Sequence, residues 1–309
     1  AVKINWHQAV GYMMIVTASC FWGGSASFGK QLMLGGLSTI RLMEIRSVVS
    51  SLALLILLSL FARKHLRITW SDLPGFLLLS IPGLALVNAS YYKAVQLMPV
   101  AIAAFIQFTA PVLIFLYGLV TRTEKASAPR FLALVLGLAG TYLMLELKSG
   151  GIQQWPVFGL VCALASMVSY AFYVLVSHRL GNKHSPWTLV AYGYGLASVF
   201  WCIVENPFAT AAAVTAGGLW QKVALFSLFS TLIPFMLFLT GLRRVSPTGA
   251  SIASTSETVM AALFAFLFLG ETLAAGQILG AVLIIAAVTI LVLQPEPAPE
   301  VIVAEDHPA

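Results

Sequence analysis

The sequence predicts an all-α membrane protein of ten transmembrane helices, arranged as two inverted five-helix repeats. Three observations predict it. Hydrophobic residues make up 60% of the chain and charged residues 9%, against about 25% charged in ordinary soluble domains. Ten apolar runs each approach the roughly 20 residues that cross about 30 Å of hydrocarbon. The first five runs also reappear as the last five about 147 residues later: Gly11 falls on Gly159, Lys30 on His178, Pro111 on Thr258, Glu124 on Glu271 and Arg130 on Gln277. Five spans per repeat is an odd number, so the second repeat must enter the membrane upside down. Inverted repeats of this kind build secondary transporters, with the substrate site near the midplane between the halves.

The expected spans of the first repeat are 9–34, 38–61, 73–95, 99–121 and 128–147; those of the second are 156–180, 186–205, 219–242, 247–269 and 275–293. Trp6, Trp70, Trp155, Trp187 and Trp220 stand at starts of spans, where indole rings suit the headgroup layer. Pro82-Gly83 interrupts the third span and Pro234 the eighth. Broken helices mark binding sites in many transporters, and a kink in a packed bundle is the alternative. Pro111 sits in the fourth span, while its counterpart in the ninth is Thr258, so a proline break is expected in one half only. In the tenth, Gly276-x-x-x-Gly280 has the small-residue spacing of close helix contact, expected to pack the helix inside the molecule, with a dimer contact as the alternative. Residues 1–148 form the first repeat and 149–294 the second. The Pro-, Glu- and Ala-rich segment 295–309 has too little patterned apolar surface to fold and is expected to be a disordered cytoplasmic tail.

Lys and Arg near span ends set the orientation. With the N-terminus inside, Lys3, Arg63, Lys64, Arg67, Arg122, Lys125, Arg130, Arg179, Lys183, Arg243 and Arg244 are cytoplasmic. Lys30, Arg41, Arg46, Lys93, Lys148 and Lys222 fall outside. The bias predicts both termini in the cytoplasm of a cell inner (plasma) membrane. The net charge of +6 is then a topology signal, with no nucleic-acid partner implied. The first apolar run is too long for a cleaved signal peptide and is read as an anchor. Cys20, Cys162 and Cys202 lie within spans without metal-ligand spacing and are expected to be buried thiols.

Several constellations can carry function. Ser166, Tyr170, Tyr173 and Ser177 share one face of the sixth span, and the repeat maps that face onto Ala18, Trp22, Ser25 and Gly29 of the first. A substrate-facing stripe is one reading; rings that only pack, beside hydroxyls bonded to their own helix, is the other. Asn88, Tyr91 and Tyr92 group on the third span, and Gln107 of the fourth aligns with Ser254 of the ninth. Ser251 to Thr258 is the most polar run within any span, and Glu257 lies about ten residues past Pro247, or about 15 Å deep. An ionisable group at that depth must face protein or water. Glu257 can bind a substrate amine, load and release a proton, or serve as a structural carboxylate bonded to Ser254 or Thr258. Arg41 and Glu44 are spaced to pair at i, i+3, with Arg46 slightly deeper; the readings are an ion-pair gate at the outer mouth and a structural pair. His178 is expected to pack at the interface. Gly24 to Lys30 matches a phosphate loop, but Gln31 replaces the magnesium-binding hydroxyl and no strand precedes it. No nucleophile elbow, HExxH or metal cluster is present in the sequence, so neither catalytic residues nor a cofactor is expected.

Phe21-Trp22-Gly23-Gly24, Tyr92-Lys93-Ala94-Val95 running to Pro99, Pro111 with Glu124, and Glu257 with Leu269-Gly270-Glu271 together resemble the drug/metabolite transporter superfamily, in its EamA-type ten-helix members. The resemblance covers roughly residues 9 to 293. It implies efflux of small metabolites such as amino acids, or uptake in some branches. It also implies a central cavity lined mainly by spans 1, 3, 4, 6, 8 and 9. The expected protein is a secondary exporter of an amino acid or related amphipathic amine, working by alternating access as a monomer among membrane lipids, with the proton a candidate coupling ion. An uptake carrier or uncoupled facilitator is the alternative; a membrane sensor lacks an output domain and an intramembrane enzyme lacks a catalytic constellation. The substrate-binding candidates are Trp22, Ser25, Asn88, Tyr91, Tyr92, Gln107, Tyr170, Tyr173, Ser254 and Glu257.

Overall fold

The computed structural model describes residues 5–145, 156–269 and 272–294, and every regular element among them is a helix. In the first half these are α1 (Trp6–Leu34), α2 (Thr39–Phe61), α3 (Trp70–Leu97), α4 (Ile102–Val120) and α5 (Ala128–Met144). The second half comprises α6 (Val157–Gly181), α7 (Pro186–Val204), a short α8 (Pro207–Ala216), α9 (Trp220–Leu242), α10 (Pro247–Ser254), α11 (Ser256–Leu269) and α12 (Ala275–Leu293). Among the described residues, seven helices (α2, α3, α4, α6, α7, α9 and α12) are long and apolar enough to cross a membrane, and α5 and α8 are shorter apolar helices. α8 occupies what the sequence reads as a connection. Lys148 and the junction beside it, Trp155, Gly270-Glu271 and the tail 295–309 lie outside the described residues.

Apolar side chains fill the core and also cover much of the outside, and on α2 the buried face is polar. On α2, Leu52, Ile56 and Leu60 are exposed while Ser47, Ser50 and Ser51 are buried. That is the arrangement for hydrocarbon outside and hydroxyls inside, with backbone polar groups closed within helices. Trp6, Trp70, Trp187 and Trp220 all stand exposed at helix starts. Cys162 is buried, whereas Cys20 and Cys202 are only half-buried; all three are free thiols.

Helix α1 packs on α9 and α11, α2 on α7, α3 on α6 and α5 on α12. The α5–α12 contact is backbone to backbone: a Cβ on Gly280 would lie 2.6 Å from the Gly140 carbonyl oxygen, and one on Gly140 would lie 2.7 Å from that of Gly280. Gly276 meets nothing within 4 Å, so only the second glycine of the expected pair makes the contact.

Polar contacts join the connections in pairs. Gln8 donates to the carbonyls of Leu291 and Gln294, both at 2.8 Å, which brings the start of α1 to the end of α12. The α2–α3 and α6–α7 connections meet through Lys183 and Asp72 at 2.6 Å and through Ser185 and His65 at 2.8 Å. Glu124 accepts from the Thr248 N–H at 3.2 Å, and Arg130 lies 3.6 Å from its other oxygen. At the start of α2, Arg41 pairs with Glu205 at 3.3 Å, and Glu44, buried, accepts from the Thr210 hydroxyl. The expected Arg41–Glu44 pair is therefore not formed, because each residue finds its partner across the bundle on the α7–α8 segment. His178 packs at the end of α6, its Nδ1 3.3 Å from the Leu242 carbonyl.

Three of the expected helix breaks are present, and a fourth appears where none was expected. A π-helical segment spans Leu79–Ala85 around Pro82, and another spans Leu228–Leu232 just before Pro234. In α4 the helix is interrupted at Phe108–Thr109, ahead of Pro111. Its counterpart breaks at Thr255, between α10 and α11, without a proline. Here Ser251, Ser254, Thr255, Ser256 and Thr258 each donate to the carbonyl three residues back, at 2.7–2.9 Å. Side-chain hydroxyls that compete for helix carbonyls loosen the i→i−4 ladder. The two halves break at matching positions by different chemistry: the proline break stands in one half only, as expected, and hydroxyls accompany the other.

Candidate functional site

One cavity opens where the broken helices meet. Trp22 and Ser25 enter it from α1, Asn88, Tyr91 and Tyr92 from α3, and Gln107 from α4. Tyr170 and Tyr173 of α6 and Glu257 of α11 border the same space. Nine of the ten candidate residues therefore border a single space. The tenth, Ser254, stands behind the wall, its hydroxyl 2.7 Å from that of Tyr170.

The break in each half places these groups. Gln107 is the last residue before the α4 interruption, and the Ser166 hydroxyl donates to its side-chain oxygen, tying α4 to α6. Glu257 stands in the first turn of α11, just past the Thr255 break. Pro234 has no N–H to offer the carbonyl four residues back, and that carbonyl belongs to Ser230. Trp22 Nε1 donates to it at 3.3 Å and Arg46 Nη2 at 3.1 Å. The Trp22 ring also meets Phe235 edge-on at 5.0 Å, and Tyr173 lies 5.7 Å from the same ring. The symmetric aromatic stripe thus packs and lines the cavity at once.

Arg46 is the residue that sequence reasoning misplaced. Grouped there with the outer-mouth charges, it is buried at 3% exposure and lines the cavity. Its Nε donates to the Thr231 hydroxyl at 2.5 Å and its Nη1 to Asn88 Oδ1 at 3.0 Å, and its Cζ lies 5.9 Å from the Tyr92 ring centre. Helix α2 thereby joins the spans expected to line the cavity. Val87, Phe108 and Phe235 complete the wall and carry no polar signal that could have singled them out. The signal for Arg46 was its depth in an apolar span, where an ionisable residue is a functional candidate by default.

Glu257 forms no hydrogen bond or ion pair with the other described residues. The two hydroxyls expected to hold it are committed elsewhere, Ser254 to the Ser251 carbonyl and Thr258 to that of Thr255, both at 2.8 Å. A structural carboxylate bonded to those neighbours is thus not what the geometry contains. No group of three or more His, Cys, Asp or Glu able to hold a metal occurs among the described residues.

The decisive comparison is with families. The model of the EamA-like transporter family matches the chain twice, over residues 9–146 and 157–293. The chain belongs to the EamA-like transporter family. It is 34% identical over 212 residues to an uncharacterised transporter of Archaeoglobus fulgidus, a match covering 67% of this chain and 74% of that protein. It is 27% identical over 282 residues to the threonine/homoserine exporter RhtA of Escherichia coli K12, covering 89% of this chain and 88% of that one. The same exporter of Salmonella typhimurium LT2 is 29% identical over 245 residues, covering 77% of each chain. A protein of known crystal structure, 18% identical, shares the fold with a TM-score of 0.71 over 93% of this chain and 96% of its own. This EamA-like protein is accordingly a multi-pass helical membrane protein of a transporter family, with a membrane environment and a small-molecule substrate.

Proposed function

We propose that this protein exports a small metabolite, an amino acid or related amphipathic amine, by alternating access across the inner membrane. In this reading ten spans form two inverted five-helix repeats, and both termini are cytoplasmic. One observation carries the reading: a single cavity is bordered by helices of both halves, by Trp22 and Ser25 from the first and by Tyr170 and Tyr173 from the second. A cavity shared between halves is what rocking of one repeat against the other can expose to each face in turn.

The grouping of connections supports the ten-span topology. Those after the second and sixth spans meet through Asp72 and Lys183. Those after the fourth and eighth meet through Glu124 and Thr248. The contact of Arg41 with Glu205 joins those after the first and seventh. Even-numbered connections thus keep company with even, and odd with odd, as ten crossings require. RhtA's threonine and homoserine are the first substrates to test.

The test is flux in proteoliposomes loaded with L-threonine, L-homoserine, other amino acids, amines or nucleobases, with and without an imposed pH gradient. Movement of unmodified solute across the sealed bilayer, blocked in a Tyr170→Ala variant that remains folded, is the expected result. Absence of flux for the whole panel overturns the proposal. Acceleration by an inward proton gradient identifies proton-coupled export; equal rates with and without it identify a facilitator.

A further inference from the structure

We infer that the cavity reads both charges of a zwitterion, with Arg46 taking the carboxylate of an α-amino acid and Glu257 its ammonium group. The inference rests on the transport reading above and narrows its substrate class: an amine alone or an acid alone satisfies one residue and leaves the other bare.

Among the described residues, Arg46 and Glu257 are the charged ones that line the cavity. No salt bridge joins them, and neither has an ion partner among the described residues. Three of the five N–H groups of the Arg46 guanidinium donate to neutral oxygens, those of Thr231, Asn88 and Ser230. These bonds fix the direction of the fork and leave its charge uncompensated. A buried guanidinium without an anion is costly, and hydrogen bonds to neutral oxygens with the Tyr92 and Phe226 rings nearby offset that cost only in part. The cavity is the side from which that charge can arrive, and a planar fork suits a carboxylate. Glu257 presents the complementary need, since the hydroxyls beside it are spent on their own helix.

The aim of Arg46 traces to Pro234. The carbonyl of Ser230 is free to accept from Arg46 because the residue four positions on has no N–H. A break in α9 therefore orients a cation carried on α2. Tyr92 lies beside the guanidinium at 5.9 Å and, with Tyr91, walls the same space. An amino acid held at both ends would lie along this aromatic wall.

The test titrates the purified full-length protein, by calorimetry in detergent, with L-threonine, with threoninol, whose carboxylate is replaced by an alcohol, and with N-acetyl-L-threonine, whose nitrogen is uncharged. Both analogues are expected to bind about tenfold or more weakly than threonine. Arg46→Gln should bring the threonine-to-threoninol ratio toward one and leave the ratio to N-acetyl-threonine in place. Glu257→Gln should do the reverse. Each ratio is internal to one preparation, so it does not depend on how much of a variant folds. If Arg46→Gln yields no folded protein, the wild-type ratios and Glu257→Gln decide. Threoninol or N-acetyl-threonine binding wild type within twofold of threonine overturns the inference, as does failure of any proteinogenic amino acid to bind. Preserved ratios without flux would overturn the transport reading alone; flux with flat ratios would overturn this one alone.

Discussion

The hydroxyls of Tyr170 and Ser254 lie 2.7 Å apart and join α6 to the last residue of α10. Ser254 has one proton and gives it to the Ser251 carbonyl at 2.8 Å, so Tyr170 is the donor in the pair. The bond anchors a cavity-lining ring to the segment whose hydroxyls unwind the helix ahead of Glu257. Ser254 thus acts on the site from behind it, through Tyr170.

That relationship predicts coupling. Tyr170→Phe keeps the ring and removes the donor, and it should cost about 1 kcal/mol of stability. Ser254→Ala should cost a similar amount, and the double variant little more than either alone, because both single changes break the same bond. Unfolding of the four proteins in detergent completes the cycle. Strictly additive costs would show that the hydroxyls are neighbours without interaction.

The α5–α12 contact predicts opposite outcomes for two glycines four residues apart. Gly280→Ala places a methyl group 2.6 Å from the Gly140 carbonyl oxygen and 2.8 Å from the Met144 nitrogen. Both are backbone atoms, so the helices must separate, at a cost of about 1–3 kcal/mol. Gly276→Ala meets nothing within 4 Å and gains up to about 1 kcal/mol of helix propensity. Folded yield and thermal midpoint in detergent should fall for the first and hold or rise for the second. Equal loss in both would mean that helix spacing is not set at Gly280.

What the sequence made legible was whatever has a period. The apolar runs located the long helices to within a few residues, though not the short α8, and the repeat offset paired Trp22 with Tyr170, which border one cavity. Polar residues deep in spans named nine of the residues that border it. What escaped were facts of partnership. Arg41 and Glu44 satisfy local spacing, yet each binds the α7–α8 segment, since a span's partners across the bundle leave no mark on its own sequence. The break at Thr255 was hidden for a related reason. Proline announces a break by itself, whereas a run of hydroxyls breaks a helix only if their protons turn to its carbonyls.

Topology can be tested without a substrate. Lys64 and Arg179 are exposed, in opposite repeats, and the charge bias puts both in the cytoplasm. Lys64→Cys and Arg179→Cys should resist a membrane-impermeant maleimide added outside intact cells and react once the membrane is opened. Leu34→Cys, at the exposed end of α1, should react in intact cells. Efficient outside labelling at 64 or 179 would contradict the assigned orientation, and labelling at one alone would contradict the inverted repeat. Background from the half-buried Cys20 and Cys202 calls for a parent with both replaced by Ala.

Glu257 separates the remaining mechanisms. Glu257→Gln preserves size and a hydrogen-bonding end but removes the titratable charge. With Ser254 and Thr258 committed to backbone carbonyls, no neighbouring hydroxyl depends on the carboxylate for its proton, so folding should be little affected. A residue that only carries the coupling proton should lose gradient-driven accumulation and keep substrate exchange, since exchange needs no net proton movement. A residue that binds the substrate ammonium should lose affinity in both modes, by more than the roughly 1 kcal/mol of a neutral hydrogen bond. The expected outcome is loss in both, because Glu257 faces the cavity without a protein partner and so is placed to meet the cargo itself. Accumulation and exchange measured side by side on one proteoliposome preparation decide it. Intact exchange with lost accumulation would assign Glu257 to the proton alone, and wild-type behaviour in both would remove it from the mechanism.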